Sequence, residues 1–485
     1  MRVLYVSTEV FPALKTGGLA DVNAALPKAL RELGEDVRLL LPAFPEFLQT
    51  ATDVKELARL DSPFCPAPVR ILQCQLNGVP AWLIEAGDFY ARGGNPYVDH
   101  RGHDWPDNAQ RFALLGWVAA RFADGSLENW RPDIVHAHDW HAGLAPAYLA
   151  ARGGERPASV FTVHNLGYQG EFPAETFRHL ALPDHFFSLH GLEFYGKVNF
   201  MKAGLHYSDR ITTVSPGYAR EIQTAEFGFG MDGLLRSRAG AIRGILNGVD
   251  RAYWNPATDP CLDAPYRQED MAGKLVCQAG LRRDLGLAAS SGPLFGVVSR
   301  LTAQKGIDLL EQSIGHLLER GGQLVLLGSG DKDLEARLPE IARAHPKHLH
   351  VRIGYDETLA HRIMAGCDAI LVPSRFEPCG LTQLYALAYG TLPLVHRVGG
   401  LADTVCDATP ANLADGLATG FVFDQPDVPS LKAALDRLFL LWQSPGTWSG
   451  MRQNAMRQDF GWPASARQYH ALYRDRKSTR LNSSH

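Results

Sequence analysis

Gly17-Gly18-Leu19-Ala20-Asp21 and Gly399-Gly400-Leu401-Ala402-Asp403 are the same pentapeptide, placed near the two ends of a 485-residue chain. Each copy follows a short apolar run, residues 3–7 or 392–395, and opens an amphipathic stretch. Strand, glycine turn and helix N-terminus is the order in which α/β sheets offer backbone N–H groups and a helix dipole to anionic or hydroxyl-rich ligands. Two such turns predict two α/β halves presenting similar loops to one shared site. Glycine pairs alone also fit two ordinary helix starts, so the decision rests on what lies around them.

Short β-rich apolar segments alternate with longer helical patterns along the whole chain, the signature of βαβ units and parallel sheets. Strands are expected at 3–7, 37–41, 134–137, 159–163 and 211–214 in the first half. In the second half they are expected at 294–298, 323–327, 351–353, 369–372 and 392–395. The Pro- and Asn-containing stretch 247–265 breaks the pattern and reads as a linker. The expected fold class is α/β, with two doubly wound, Rossmann-like domains facing a cleft into which strand carboxyl ends deliver their loops. The expected boundaries are 1–246, a linker and hinge at 247–292, a second domain at 293–455, and a helix within 456–477 crossing back to the first domain. That helix is expected over 462–473.

Composition narrows the function classes. A length of 485 residues suits two domains of about 200 residues each. With 46% hydrophobic and 21% charged residues, the chain has the mix of a soluble globular protein. A net charge of −4 gives no electrostatic case for nucleic acid or an anionic membrane as partner. No apolar run nears the ~20 residues that cross a bilayer. The start reads as a strand interrupted by Ser7, Thr8 and Glu9, not as a signal peptide. Seven scattered cysteines without a Cys-x-x-Cys pair fit reduced thiols in a cytoplasm and argue against a zinc ribbon or disulfide frame. The closing residues, 478–485, look unlike the rest and are expected to be a foreign or disordered tail.

Several loops carry candidate chemistry. Arg300 and Lys305 lie five residues apart directly after the apolar run 294–298. A planar fork and a point charge at a strand's carboxyl end form a natural clamp on a diphosphate, although a solvated basic loop has the same composition. The stretch 373–382 (Pro-Ser-Arg-Phe-Glu-Pro-Cys-Gly-Leu-Thr) follows a buried-looking strand and runs into a helix expected over 381–389. Gly380, Leu381 and Thr382 are expected to form its first turn, with N–H groups free for phosphate. Glu377 could bond a sugar hydroxyl or stabilise positive charge at an anomeric carbon, or simply compensate the helix dipole. Cys379 reads as a small packed thiol.

His136, His138, Asp139 and His141 cluster at another strand end. They are read as a polar cleft wall with Asp139 on sugar hydroxyls, the competing reading being a transition-metal site. Asp331-Lys-Asp333 resembles a metal clamp but sits where helix capping is the better reading. His164, after strand 159–163, is expected at the cleft mouth as a structural histidine or a hydroxyl partner. No Gly-x-Gly-x-x-Gly follows the first strand, and no Walker loop, Gly-x-Ser-x-Gly elbow or glycosidase-like carboxylate pair stands out.

Taken together, residues 15–21, 136–141, 299–306, 377–382 and 399–403 resemble those of bacterial glycogen synthases, a likeness shared by plant starch synthases. It runs from Met1 to about Lys477, and it implies a metal-independent, cofactor-free GT-B glycosyltransferase. The implied reaction moves glucose from ADP-glucose to the 4-hydroxyl at the non-reducing end of glycogen or a maltooligosaccharide, with retention. By matching motif, Arg300 and Lys305 would hold the diphosphate, and Gly380, Leu381 and Thr382 would add phosphate and ribose contacts, beside Cys379. Lys15 would reach the phosphates from the first domain, and Gly18, beside Asp21, would let backbone approach the donor. Glu377 would contact glucose hydroxyls, with His164, Asp139 and Asn247 lining the sugar site. Tyr355 resembles the aromatic beside the adenine, and Gly399 and Gly400 belong to the donor loops. A UDP-glucose enzyme making a sucrose- or trehalose-type product, and a non-catalytic glucan- or nucleotide-binding protein, are the competing readings.

Overall fold

The computed structural model describes residues 1–93 and 95–482 and divides into two compact units, Met1–Gly248 with Trp462–His485, and Val249–Gly461. The first unit is built on a nine-stranded sheet. Its order is Ile242–Gly244, Arg210–Thr213, Ala158–Val163, Ile134–His138, Arg2–Val6, Asp36–Pro42, Val79–Glu85, Val69–Leu76 and Thr52–Leu60. The first seven strands pair in parallel; the last two are added antiparallel. The antiparallel pair was not expected, because its alternating, partly polar strands lack the buried apolar run that marks a parallel strand. Buried central strands such as Ala158–Val163 carry that run throughout.

The second unit is a six-stranded, wholly parallel sheet ordered Leu349–Ile353, Gln323–Gly328, Leu294–Val298, Ala369–Val372, Leu392–His396 and Phe421–Phe423. Chain order reverses between Leu294–Val298 and Ala369–Val372, so a crevice opens at their carboxyl ends, the switch point where such sheets hold ligands. In the first unit the reversal falls between Arg2–Val6 and its neighbour Ile134–His138.

Both pentapeptides open helices, Gly18–Glu32 and Gly399–Thr404. The first buries Leu19, Val22, Leu26 and Leu30, a stripe of helical period. Residues 249–265 are packed into the second unit: Trp254 lies between His361 (ring centroids 3.8 Å) and Tyr385 (3.9 Å), nearly parallel to both. The final helix runs Trp462–Asn482 and is longer than expected. Residues 478–482 of the expected foreign or disordered tail continue this helix; residues 483–485 lie outside the described residues. The helix packs within the first unit, where Tyr473 Oη lies 2.7 Å from His136 Nδ1 and Ser465 Oγ donates to Leu246 O. Among the described residues no helix is long and apolar enough to cross a membrane.

Candidate active site

At the switch point of the second unit, Val297, Ser299, Lys305, Pro373, Glu377, Gly380, Leu381 and Thr382 line a small pocket of about 50 Å³. Two loops build it, and both are held in place. Gly306 has φ +67, and a Cβ there would lie 2.0 Å from Pro373 O, so only glycine lets the Lys305 loop close on strand Ala369–Val372. Arg375 spans the two loops: its guanidinium pairs with both oxygens of Asp308 at 2.7 Å and donates to Ala303 O at 2.6 Å. Ion pairing with Arg375 holds the Asp308 carboxyl below its ordinary range.

Within this frame Lys305 Nζ donates to Glu377 Oε2 at 2.6 Å, and Ser374 Oγ donates to the same oxygen at 2.8 Å. Both ionised side chains are largely buried, with side-chain exposures of 18% and 9%. A buried pair of this kind is costly unless each charge is compensated, and here it presents one cation and one carboxylate to the same small volume. The Thr382–Ala388 helix begins beside them, with Leu381 as N-cap and no side-chain cap bond. Gly380 is not in that first turn, contrary to expectation. Its φ of +71 lies outside the helical region, so the helix starts only at Thr382, and Gln383 Nε2 donates to Gly380 O at 2.8 Å and Cys379 O at 2.9 Å.

The second pentapeptide supports this loop from behind. Gly400 N donates to Glu377 O at 3.1 Å, and a Cβ on Gly400 would lie 2.1 Å from Cys379 O. Gly399 takes a positive φ of 46°. Cys379 is buried, as a packed thiol should be. The two pentapeptides are not equivalent, since Gly17 is extended at φ −164 whereas its counterpart Gly399 lies in the left-handed region. Arg300 is exposed at the strand end and does not line the pocket. Tyr355 is 70% exposed beyond strand Leu349–Ile353, its hydroxyl bonded to Glu357.

In the first unit polar residues gather at the carboxyl end of the central strand Ile134–His138. His136 is a satisfied core residue, bonded to Tyr473 on one nitrogen and to Thr162 Oγ1 (2.6 Å) on the other. His138 stacks on Tyr5 and lies 3.0 Å from His164 Nε2 through its Nδ1. Burial pushes His136 and His164 down to about 3 and His138 and His141 well below the ordinary histidine range, so all four are neutral at pH 7. Asp139, at φ +56, accepts from His164 N at 2.8 Å. Burial nonetheless pushes its carboxyl up to about 7, with Glu9 adding to the rise. A buried carboxyl raised toward neutral pH among polar strand ends is a functional-site signal.

Lys15 pairs with Asp21 at 3.1 Å and lies over the Phe11 ring, while Thr16 N and Oγ1 both donate to Glu9. Tyr97 donates to Glu9 and stacks on His141. Glu9, Tyr97, Ser374 and Arg375 had no assigned part in the sequence; Ser374 and Arg375 stood inside the quoted 373–382 stretch, and their offset from Glu377 was the available signal. Asn247 is buried with no partner for its Oδ1. Asp331 caps the Lys332–Ala344 helix, accepting from Asp333 N and Leu334 N, as the capping reading expected. Among the described residues the metal-capable group is Asp259, Cys261 and His361. Its Asp259 already accepts from His361 at 2.7 Å, Tyr389 at 2.5 Å and Cys261 N at 2.9 Å, so an ion would have to displace bonds already made.

Residues 2–237 match the family model described as starch synthase catalytic domain, and residues 284–455 match that of glycosyl transferases group 1. The glycogen synthases of Francisella tularensis subsp. novicida and Francisella philomiragia are each 52% identical, covering 98% of this chain and 99% of their own. The catalytic domain of starch synthase IV from Arabidopsis thaliana, solved bound to ADP and acarbose, superposes with a TM-score of 0.89 at 33% identity, over 98% of this chain and 99% of its own. A sucrose-phosphate synthase from Thermosynechococcus elongatus, at 19% identity, covers 99% of both chains with a TM-score of 0.60 and shares the fold. Two Rossmann-like sheets with a charged pocket at a switch point thus define a glycosyltransferase of the GT-B fold. More particularly, the chain belongs to the glycogen synthase family, which includes the starch synthases.

Proposed function

We propose that this enzyme transfers glucose from ADP-glucose to the 4-hydroxyl at the non-reducing end of glycogen or a maltooligosaccharide, with retention of configuration and release of ADP. The observation that carries the reading is the Lys305–Glu377 pair, 2.6 Å apart and largely buried at the switch-point pocket. Breaking the bond between C1 and the diphosphate oxygen leaves negative charge on ADP and positive charge at C1. A buried cation beside the leaving group and a carboxylate beside the sugar answer both charges, and their effect grows as the charges develop.

Lys305 and Arg300 take the diphosphate, with Thr382 and the open N–H groups of its helix as further partners. Glu377 takes glucose hydroxyls, and Tyr355 the base. Lys15, Gly18 and Asp21, together with Asp139, His164 and Asn247, are assigned to the sugars and phosphates from the first unit. The acceptor oxygen forms its bond to C1 on the face from which ADP departs, and its proton passes to the departing phosphate oxygen.

Lys305→Ala tests the assignment. Single-turnover transfer from ADP-glucose should slow by about 10²- to 10³-fold, the loss typical of removing one charge-stabilising donor, with circular dichroism unchanged. Near-native turnover would remove Lys305 from the mechanism.

A further inference from the structure

One oxygen of the Glu377 carboxylate is committed inside the protein, and the other is not. Lys305 Nζ and Ser374 Oγ both donate to Oε2. Among the described residues Oε1 accepts no hydrogen bond, and it is not sealed off from the pocket that the side chain lines. The main chain is fixed separately, by Gly400 N on Glu377 O. What the two donors on Oε2 control is therefore the last torsion of the side chain, which is broad and roughly two-fold when nothing restrains it.

They do not restrain it equally. Lys305 carries a point charge on a flexible four-carbon stem, so its ammonium can follow a carboxylate that turns. Ser374 cannot follow. It is fully buried, two residues beyond strand Ala369–Val372, with one rotatable bond between its backbone and its oxygen. Its backbone is pinned by the neighbouring strand Leu392–His396, whose last residue places Nδ1 2.9 Å from Ser374 O. A carbonyl only accepts, so His396 Nδ1 carries the proton.

His396 is held in turn. It is buried, it does not line the pocket, and it packs on its strand partner Phe423 with ring centroids 5.4 Å apart. Phe423, His396, Ser374 and Glu377 thus form a continuous line from the edge strand Phe421–Phe423 to the pocket. A site gains precision when the groups that aim a reacting side chain are themselves locked by packing and by hydrogen bonds from regular elements.

We infer that Ser374 and His396 are positioning residues that lock the Glu377 carboxylate so that Oε1, and not Oε2, meets the glucosyl hydroxyls, an inference resting on the donor-site reading above. Ser374→Ala and His396→Leu remove the two supports. His396→Asn restores the second, because its amide N–H stands where Nδ1 stood. The readouts are kcat for transfer from ADP-glucose and Kd for ADP from titration calorimetry. ADP carries no glucose, so its Kd is blind to the direction of Oε1.

Ser374→Ala should lower kcat about 10²-fold, the loss that follows a misplacement of about 1 Å at a reacting centre, with Kd for ADP unchanged. His396→Leu should lower kcat in the same way, and His396→Asn should recover it. Native kcat in Ser374→Ala would overturn the inference. A Kd for ADP that weakens in step with kcat would overturn it too, since that marks a collapsed pocket and not a turned carboxylate. Equal losses in His396→Leu and His396→Asn would overturn the part given to His396. A native protein that moves no glucose from ADP-glucose would overturn the transferase reading instead, a result that needs no variant to be seen.

Discussion

Gly400→Ala would test how the second pentapeptide serves the site. The new Cβ would sit 2.1 Å from Cys379 O, 2.5 Å from Cys379 Cα and 2.6 Å from Cys379 C. All three are backbone atoms, so no side chain can rotate away, and Cys379 O is itself fixed by Gln383. Relief demands a shift of roughly 1 Å in the 377–380 loop or in the Gly399–Thr404 helix. Either movement strains the Gly400 N–Glu377 O bond of 3.1 Å and displaces the carboxylate that faces Lys305. Overpacking of this kind costs about 1–3 kcal/mol of stability, and a 1 Å misplacement at a reacting centre costs about 10²-fold in rate. The assay is kcat for glucose transfer alongside a urea midpoint. Gly17→Ala is the control: open space surrounds its Cβ, and as a helix N-cap it should lose no more than about 1 kcal/mol. Native kcat in Gly400→Ala would refute the claim that this glycine positions Glu377.

Three further outcomes follow from the geometry. Arg375→Lys keeps the charge but not the two-pronged grip on Asp308, so kcat should fall about tenfold with donor KM little changed; equal kcat would show that the loops hold without it. Tyr355→Ala should raise KM for ADP-glucose more than it lowers kcat, read from initial rates, and an unchanged KM would separate Tyr355 from the base. Stability should fall as pH drops below 6.5: the folded pKa of His136, about 3, lies under its unfolded value, so the unfolded chain binds the extra proton and gains about 2 kcal/mol between pH 7 and 5. His138, His141 and His164 act in the same direction. Asp139, raised to about 7, opposes them, because there the folded state holds the extra proton. Urea midpoints across this range that rise on acidification would contradict the neutral histidine cluster.

Most parallel strands were legible as buried apolar runs: Leu294–Val298 and Ala369–Val372 begin and end where the sequence pattern places them, whereas the parallel strands Val79–Glu85, Ile242–Gly244 and Phe421–Phe423 were not expected. The antiparallel margin was not legible either, since residues such as Lys55, Glu56 and Arg70 give strand Thr52–Leu60 and its neighbour the look of a solvated segment. The pocket was legible as loops at strand ends, which local sequence reveals. What local sequence cannot reveal is which distant side chains brace those loops. Arg375 is 67 residues from Asp308, and Tyr97 is 88 from Glu9. Gly380 falls outside its expected turn because its backbone takes a positive φ of 71°, which a helix cannot hold.

The loss of kcat expected in Gly400→Ala presupposes a working glucosyltransferase whose donor carries adenine. The most direct test supplies radiolabelled ADP-glucose or UDP-glucose with glycogen and follows label into polymer, then releases it with an exo-acting β-amylase. The account predicts efficient incorporation from ADP-glucose, little from UDP-glucose, and labelled maltose on digestion. Preferential transfer from UDP-glucose, or label appearing in a small disaccharide instead of glycogen, would contradict it.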